Sequence, residues 1–236
     1  MRLRGRRLSV IAFAIVGVII WLVINPNSYE SIFTVARNTG AEAAIGEDEG
    51  SWLAIDVLEK LEVKGRAPKK GYQRSEFYDE WPIVDGCSLR QKIIKREFGE
   101  SAVLDECNVV AGEYDEPYTG EHRIYTKKSE ISEIQIDHVV ALSDAWQKGA
   151  QYMTYAVRNQ IATDPLNLLA VDGEANKQKS DGDAATWLPK NKKFRCQYVA
   201  RQVSVKYKYG LWVTEAEKEA ISQVLQTCPN ESTVGV

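Results

Sequence analysis

Ile136-Asp137-His138-Val139-Val140-Ala141-Leu142, Asp164-Pro165-Leu166-Asn167-Leu168 and Ala175-Asn176-Lys177-Gln178-Lys179 are three phrases that follow one another in the second half of the chain. Ile131, Ile134 and Ile136 make an apolar approach to Asp137-His138 that reads as a strand. Leu168 to Val171 is a second short apolar run, and Asp172 is placed to cap a helix through Asn176 to Ser180. Strand, loop, strand and helix therefore occur in order, with His138, Asn167 and Asn176 at their joints. This order sets the expected class, α+β.

Toward the C-terminus, Cys196, Val199, Val203 and Tyr207 recur at helical spacing. Thr214 and Glu217 form a capping box ahead of Ala220, Ile221, Val224, Leu225 and Cys228, so two helices joined near Gly210 are expected, a C-terminal helical hairpin. Toward the N-terminus, Leu89, Ile93 and Ile94 fit one helix face, with Ser88 as its cap. Cys107 to Ala111 and Arg123 to Tyr125 read as strands around the turn-rich Asp115 to Gly120. Together these make an added N-terminal hairpin and helix part, and the compact domain is expected over 71–230. Residues 25–70 read as a stalk or linker with one short amphipathic stretch, Trp52 to Leu61.

Arg2, Arg4, Arg6 and Arg7 form a basic segment over 1–7. An uncharged stretch follows over 8–24, seventeen residues interrupted in its apolar character only by Ser9. That length lies between a signal-peptide core and a spanning helix, so both a signal anchor and a cleaved signal peptide stay open. Either way the arginines stay in the cytoplasm and the working domain is exported, tethered to the membrane or secreted. The four cysteines agree with an oxidising compartment and, lacking CxxC spacing, count against a zinc ribbon. Cys87 and Cys107 bracket a loop. Cys196 and Cys228 flank the turn of the helical hairpin, where a bridge would tie the two helices.

From residue 25 onward 26 basic residues face 33 acidic ones, a balance of −7 that argues against tight non-specific nucleic-acid binding. The segment from Asn176 to Lys208, with nine Lys or Arg against two Asp, is the basic exception. Two histidines, His122 and His138, cannot make a three-histidine zinc site, and His122 in a polar hairpin reads as a surface residue.

The Asp-His…Asn-Leu…Asn-x-x-Lys pattern resembles the HNH, or ββα-metal, nuclease motif. The likeness continues through Leu142-Ser143-Asp144-Ala145-Trp146 and Lys179-Ser180-Asp181-Gly182-Asp183-Ala184-Ala185-Thr186-Trp187-Leu188-Pro189. Upstream it takes in Tyr72, Arg74 and Phe77, and Trp81 through Asp85-Gly86-Cys87. These phrases resemble an exported actinobacterial HNH family related to the C-terminal domain of GmrSD-type restriction enzymes. The resemblance implies a ββα-metal core and hydrolysis of phosphodiesters, in DNA ahead of RNA. It implies His138 as the base that takes a proton from water, and Asp137 and Asn176 as oxygen ligands of one divalent ion, Mg²⁺ or Mn²⁺. Asn167 would hold the His138 loop. Lys179, three residues beyond Asn176, is a candidate phosphate contact or else a solvated lysine, and Asp183 an outer carboxylate or a turn cap. For Arg74 and Arg90 the expectation is a salt bridge to Asp79 or Asp85. Lys177 with Lys190, Lys192, Lys193 and Arg195 is a candidate phosphate-backbone track. Trp146 and Trp187 read as core. The competing reading is a surface-tethered binding or structural module that has lost turnover; no protein partner is inferred.

Overall fold

The computed structural model describes residues 52–235. The segments expected over 1–7 and 8–24, and the stalk as far as residue 51, lie outside the described residues. Among the described residues no helix is long and apolar enough to cross a membrane.

The folded unit is a mixed α/β structure with small antiparallel sheets. It opens with α1 (Ala54–Lys60), then β1 (Ile83–Val84) and β2 (Cys87–Ser88), α2 (Leu89–Phe98), and a three-stranded meander of β3 (Val103–Asp105), β4 (Asn108–Asp115) and β5 (His122–Tyr125). A short α3 (Lys128–Ile131) leads to β6 (Gln135–His138), followed by α4 (Leu142–Gln147) and α5 (Tyr155–Thr163). Then come β7 (Leu168–Val171), α6 (Gly173–Lys179), α7 (Arg195–Lys208) and α8 (Glu215–Leu225).

The strands read from Asp137-His138 and Leu168 to Val171 form one antiparallel pair, with Asp137 opposite Leu169 and His138 opposite Leu168. β7 is buried along its whole length, which explains its uninterrupted apolar run where a half-exposed strand would alternate. Its two faces feed two different cores. Leu168 and Ala170 pack with α2 and the meander, while Leu169 and Val171 pack with α7 and α8. Val139 and Val140, just past β6, divide in the same manner between the α7–α8 core and a third cluster around Phe77, Trp146 and Ile161. The motif pair therefore sits where three apolar clusters meet, and small movements of it would be resisted from every side.

Helix ends follow local chemistry. The Asp172 side chain accepts from the Ala175 backbone at 2.8 Å and starts α6. Thr214 and Glu217 form the expected capping box at α8. Ser88 precedes α2 as expected, but its side chain makes no capping hydrogen bond, its residue being engaged in β2. The bridges Cys87–Cys107 and Cys196–Cys228 are both present, and no described cysteine is free.

The folded unit starts upstream of Tyr72, which shortens the expected stalk. Ala54, Val57 and Leu58 of α1 are fully buried against α7 and α8, Leu53 bridges to Ser232, and Val63 bridges to Val213. The reason is that Trp52 to Leu61 carries enough apolar surface on one face to complete a core that the two C-terminal helices leave open.

Candidate active site

A cleft of about 350 Å³ is lined by Gln135, Asp137 and His138 from β6, by Asn176 and Lys177 from α6, and by Tyr72 and Arg74 from the chain before β1. Antiparallel pairing of β6 with β7 and the tight Asp172 cap put the start of α6 beside Gln135 at the start of β6, and α6 then runs along the strand until Lys179 reaches Asp137 and the His138 carbonyl. That is how residues some forty apart in sequence come to share one wall.

His138 is buried, with its Nε2 3.0 Å from the Ala162 carbonyl. A carbonyl only accepts, so Nε2 carries the proton and Nδ1 keeps the lone pair. The ring stacks nearly parallel to Trp81, centroids 6.0 Å apart, with Tyr78 at 5.9 Å. Burial, reinforced by the Arg74 charge and opposed by the Ala162 contact, pulls the imidazole down to about 3. The ring is therefore neutral across the range in which a base would be needed.

Asn167 is fully buried. Its Oδ1 accepts from the Val140 backbone at 2.8 Å, and its Nδ2 donates to the Ile161 carbonyl at 3.0 Å. Its own carbonyl accepts from Val139 at 2.9 Å. These bonds clamp the chain on the far side of His138, and Ile161 adjoins Ala162, the residue that orients the imidazole.

Asp137 is engaged at both carboxylate oxygens. Lys179 Nζ lies 2.9 Å from Oδ1, and the Tyr118 hydroxyl donates to Oδ2. Burial, with Asp137 next to it, pushes the Tyr118 hydroxyl well up, so it stays a donor. Asn176 Nδ2 donates to Gln135 at 2.8 Å, which fixes the amide and leaves its Oδ1 without a protein partner among the described residues.

The expectations for Lys179 need correcting. It is neither an exposed solvated side chain nor a free phosphate contact: it is 2% exposed, and its ammonium also donates to the His138 carbonyl at 2.8 Å. A buried ammonium must be paired, and Asp137 of β6, facing the end of α6, supplies the charge. The expected basic track also divides. Lys177 lines the cleft, whereas Lys190, Lys192, Lys193 and Arg195 do not. Lys190 lines a separate hollow with Tyr118, Glu174 and Gln178, reached from a different side of α6, and Arg195 is turned back onto the Pro189 carbonyl at 2.8 Å. Adjacency in sequence does not bring the run to the cleft because the chain turns between Asp183 and Trp187, where the Thr186 and Trp187 amides donate to the Asp183 carbonyl.

Asp183 takes no part in the cleft. It accepts from Lys148 at 2.8 Å and Arg66 at 2.7 Å, and from the backbone of Ala185. Despite the cost of its own burial, those two cations bring its carboxyl down to about 2. It belongs to a buried network in which Asp144 and Glu217 meet Lys148 and Lys206. Arg90 donates to the Ile134 carbonyl at 2.6 Å, and Asp85 pairs with Lys92, so neither Arg74 nor Arg90 makes the salt bridge expected of it. His122 is an exposed surface residue beside Asp115 at 2.8 Å. Trp146 is buried as core, and Trp187 packs edge-on against Tyr118 and Tyr198. The sequence reading gave no part to Tyr118, Gln135 or Lys69. Tyr118 sits in a turn-rich loop where an aromatic carries no periodic signal, and only the fold brings it to Asp137.

The donor set suits a hard divalent cation: on one cleft it offers an amide oxygen fixed with its lone pairs open and a carboxylate whose oxygens each keep a further lone pair. Elsewhere Cys196, Cys228 and Glu231 lie close together, but both sulfurs are spent in a disulfide and offer no thiolate.

Residues 89–224 match the family described as GmrSD restriction endonucleases, C-terminal domain. The chain belongs to this family. It is also 34% identical over 178 residues to a protein of the fungus Arthroderma benhamiae described as "Uncharacterized secreted protein", covering 74% of this chain and 84% of the relative. No solved structure matches.

Proposed function

We propose that this chain is a metal-dependent endonuclease with a ββα-metal core formed by β6, β7 and α6, and that it acts outside the cytoplasm on DNA ahead of RNA. The observation that carries the reading is the state of His138: an imidazole clamped through Nε2, neutral, with Nδ1 free of protein partners among the described residues, on the same cleft as Asp137 and the open oxygen of Asn176. Membership of a restriction-endonuclease family is consistent with it.

In this reading Nδ1 of His138 takes the proton from an attacking water. The Ala162 carbonyl stabilises the imidazolium that results, and Asn167 keeps the ring in place while it is charged. Asp137 and Asn176 would hold one Mg²⁺ or Mn²⁺ ion, which when bound supplies charge stabilisation at the phosphate and leaving oxygen. Lys179 acts through Asp137 as a positioning residue, since it ties that carboxylate to the His138 carbonyl. Export accords with two disulfides and with the secreted description of the fungal relative.

One observation favours a second reading, a binding module on the same fold that does not turn over. Both oxygens of Asp137 already have donors, so a cation there must share the carboxylate with Lys179. Plasmid cleavage by the purified full chain separates the two. The nuclease reading expects cutting that EDTA stops and added Mg²⁺ or Mn²⁺ restores; cutting indifferent to EDTA, or none with any divalent ion on plasmid or RNA, rejects it.

A further inference from the structure

The cations around the His138 cleft differ sharply in how they are neutralised. Lys179 is paired with Asp137, and Lys69 is paired with Asp181 at 2.7 Å. Arg74 has no carboxylate partner among the described residues. Its guanidinium is tethered by a neutral group instead: Nε donates to the Tyr78 hydroxyl at 3.1 Å, and Nη2 donates to the same oxygen. Tyr78 is itself buried and lies against the His138 ring. A guanidinium has five N–H donors in a rigid fork. Two are taken by Tyr78, which leaves the full positive charge and the remaining donors unspent at the cleft. A buried hydroxyl that orients an arginine without cancelling its charge is what an anion site requires. Lys177, from α6 on the same cleft, is likewise without an ion-pair partner among the described residues.

We propose that Arg74, held beside His138 by Tyr78, is the phosphate-binding residue of this cleft, with Lys177 taking an adjoining phosphate of the same phosphodiester strand. This rests on the nuclease reading and deepens it. It moves the substrate backbone from the Lys190 to Arg195 run, which does not line the cleft, to a pair of cations that flank the base and the open Asn176 oxygen. It also reconciles a nucleic-acid substrate with a net acidic chain, because only two charges need be uncompensated and both face the cleft.

The test is binding of a fluorescent DNA oligonucleotide to the full chain in EDTA across a salt titration, alongside cleavage with Mg²⁺. Arg74→Ala is expected to weaken binding by roughly tenfold or more and to flatten the dependence of log affinity on log salt by about one unit, as removal of a single phosphate-neutralising charge does. Arg74→Lys should keep the slope and bind less tightly, and Tyr78→Phe should keep the slope with an intermediate weakening, since charge remains but orientation does not. A purely structural Arg74 would move thermal stability and leave the salt slope alone. Wild-type affinity and slope in Arg74→Ala, a weakening found wholly in Lys190→Ala, Lys192→Ala and Lys193→Ala combined, or no DNA binding by the wild type, would overturn the proposal. Failure of the nuclease reading looks different: the wild type binds with the Arg74-dependent slope and cuts nothing.

Discussion

Replacing Lys179 by methionine would leave the Asp137 carboxylate buried beside Tyr118 with no cation against it. Breaking a buried pair from one side typically costs about 3–5 kcal/mol, so Lys179→Met should lower the unfolding free energy by about that much in chemical denaturation. Lys179→Met combined with Asp137→Leu should recover part of it, because no lone charge remains. A lysine three residues after an asparagine on a helix reads as solvated, and nothing local announces that its partner is Asp137, 42 residues earlier. His138 was legible for a different reason. Histidines are scarce here, and this one stands at a strand end beside an aspartate, where the chemistry of the residue type is itself the signal. Its tautomer was not legible, since it depends on the carbonyl of Ala162, which the intervening helix α5 delivers.

α1 shows what amphipathicity could and could not say at the scale of an element. The apolar spacing of Trp52 to Leu61 is visible in the sequence, yet its partners are α7 and α8, more than a hundred residues onward, so by itself it reads as part of a stalk. Val57, Leu58 and Leu61 are buried in that core, and at about 1.5–3 kcal/mol each they account for much of the roughly 5–15 kcal/mol that a domain has in hand. A chain that starts at Gly65 should therefore aggregate or melt far below one that starts at Gly50, as differential scanning fluorimetry would show; equal melting would mean that α1 is dispensable. The helical hairpin was easier to read, because its capping box and its apolar stripe are local. Its Cys196–Cys228 bridge closes a separation of 32 residues, and Cys196→Ser with Cys228→Ser is expected to cost about 2–4 kcal/mol in urea unfolding.

Across the molecule, two apolar clusters meet on β7 and the third joins them at Val140 just past β6, while a second, ionic junction gathers Arg66, Asp144, Lys148, Asp183, Lys206 and Glu217 from five separate stretches of chain. Both leave a mark on stability against pH. His138 takes up its proton near 3 when folded and near its ordinary value of 6.5 when unfolded, so between those values the unfolded chain holds more protons. Stability is whole above about 6.5 and declines as pH falls toward 3. Asp183, down to about 2 from 3.8, adds a second loss below the ordinary carboxylate range. Denaturation in EDTA at a series of pH values should show the first decline in the wild type and not in His138→Phe; its persistence in that variant would place its origin elsewhere. Such long-range junctions were out of reach of periodicity, whereas the order of strand, strand and helix around His138, Asn167 and Asn176 was not. The nuclease reading stands most directly on one comparison: Mg²⁺-dependent plasmid cleavage by the full-length oxidised chain beside His138→Ala at matched folding. A base at His138 predicts that cutting falls by several orders of magnitude in the variant; a variant that cuts at the wild-type rate would contradict it.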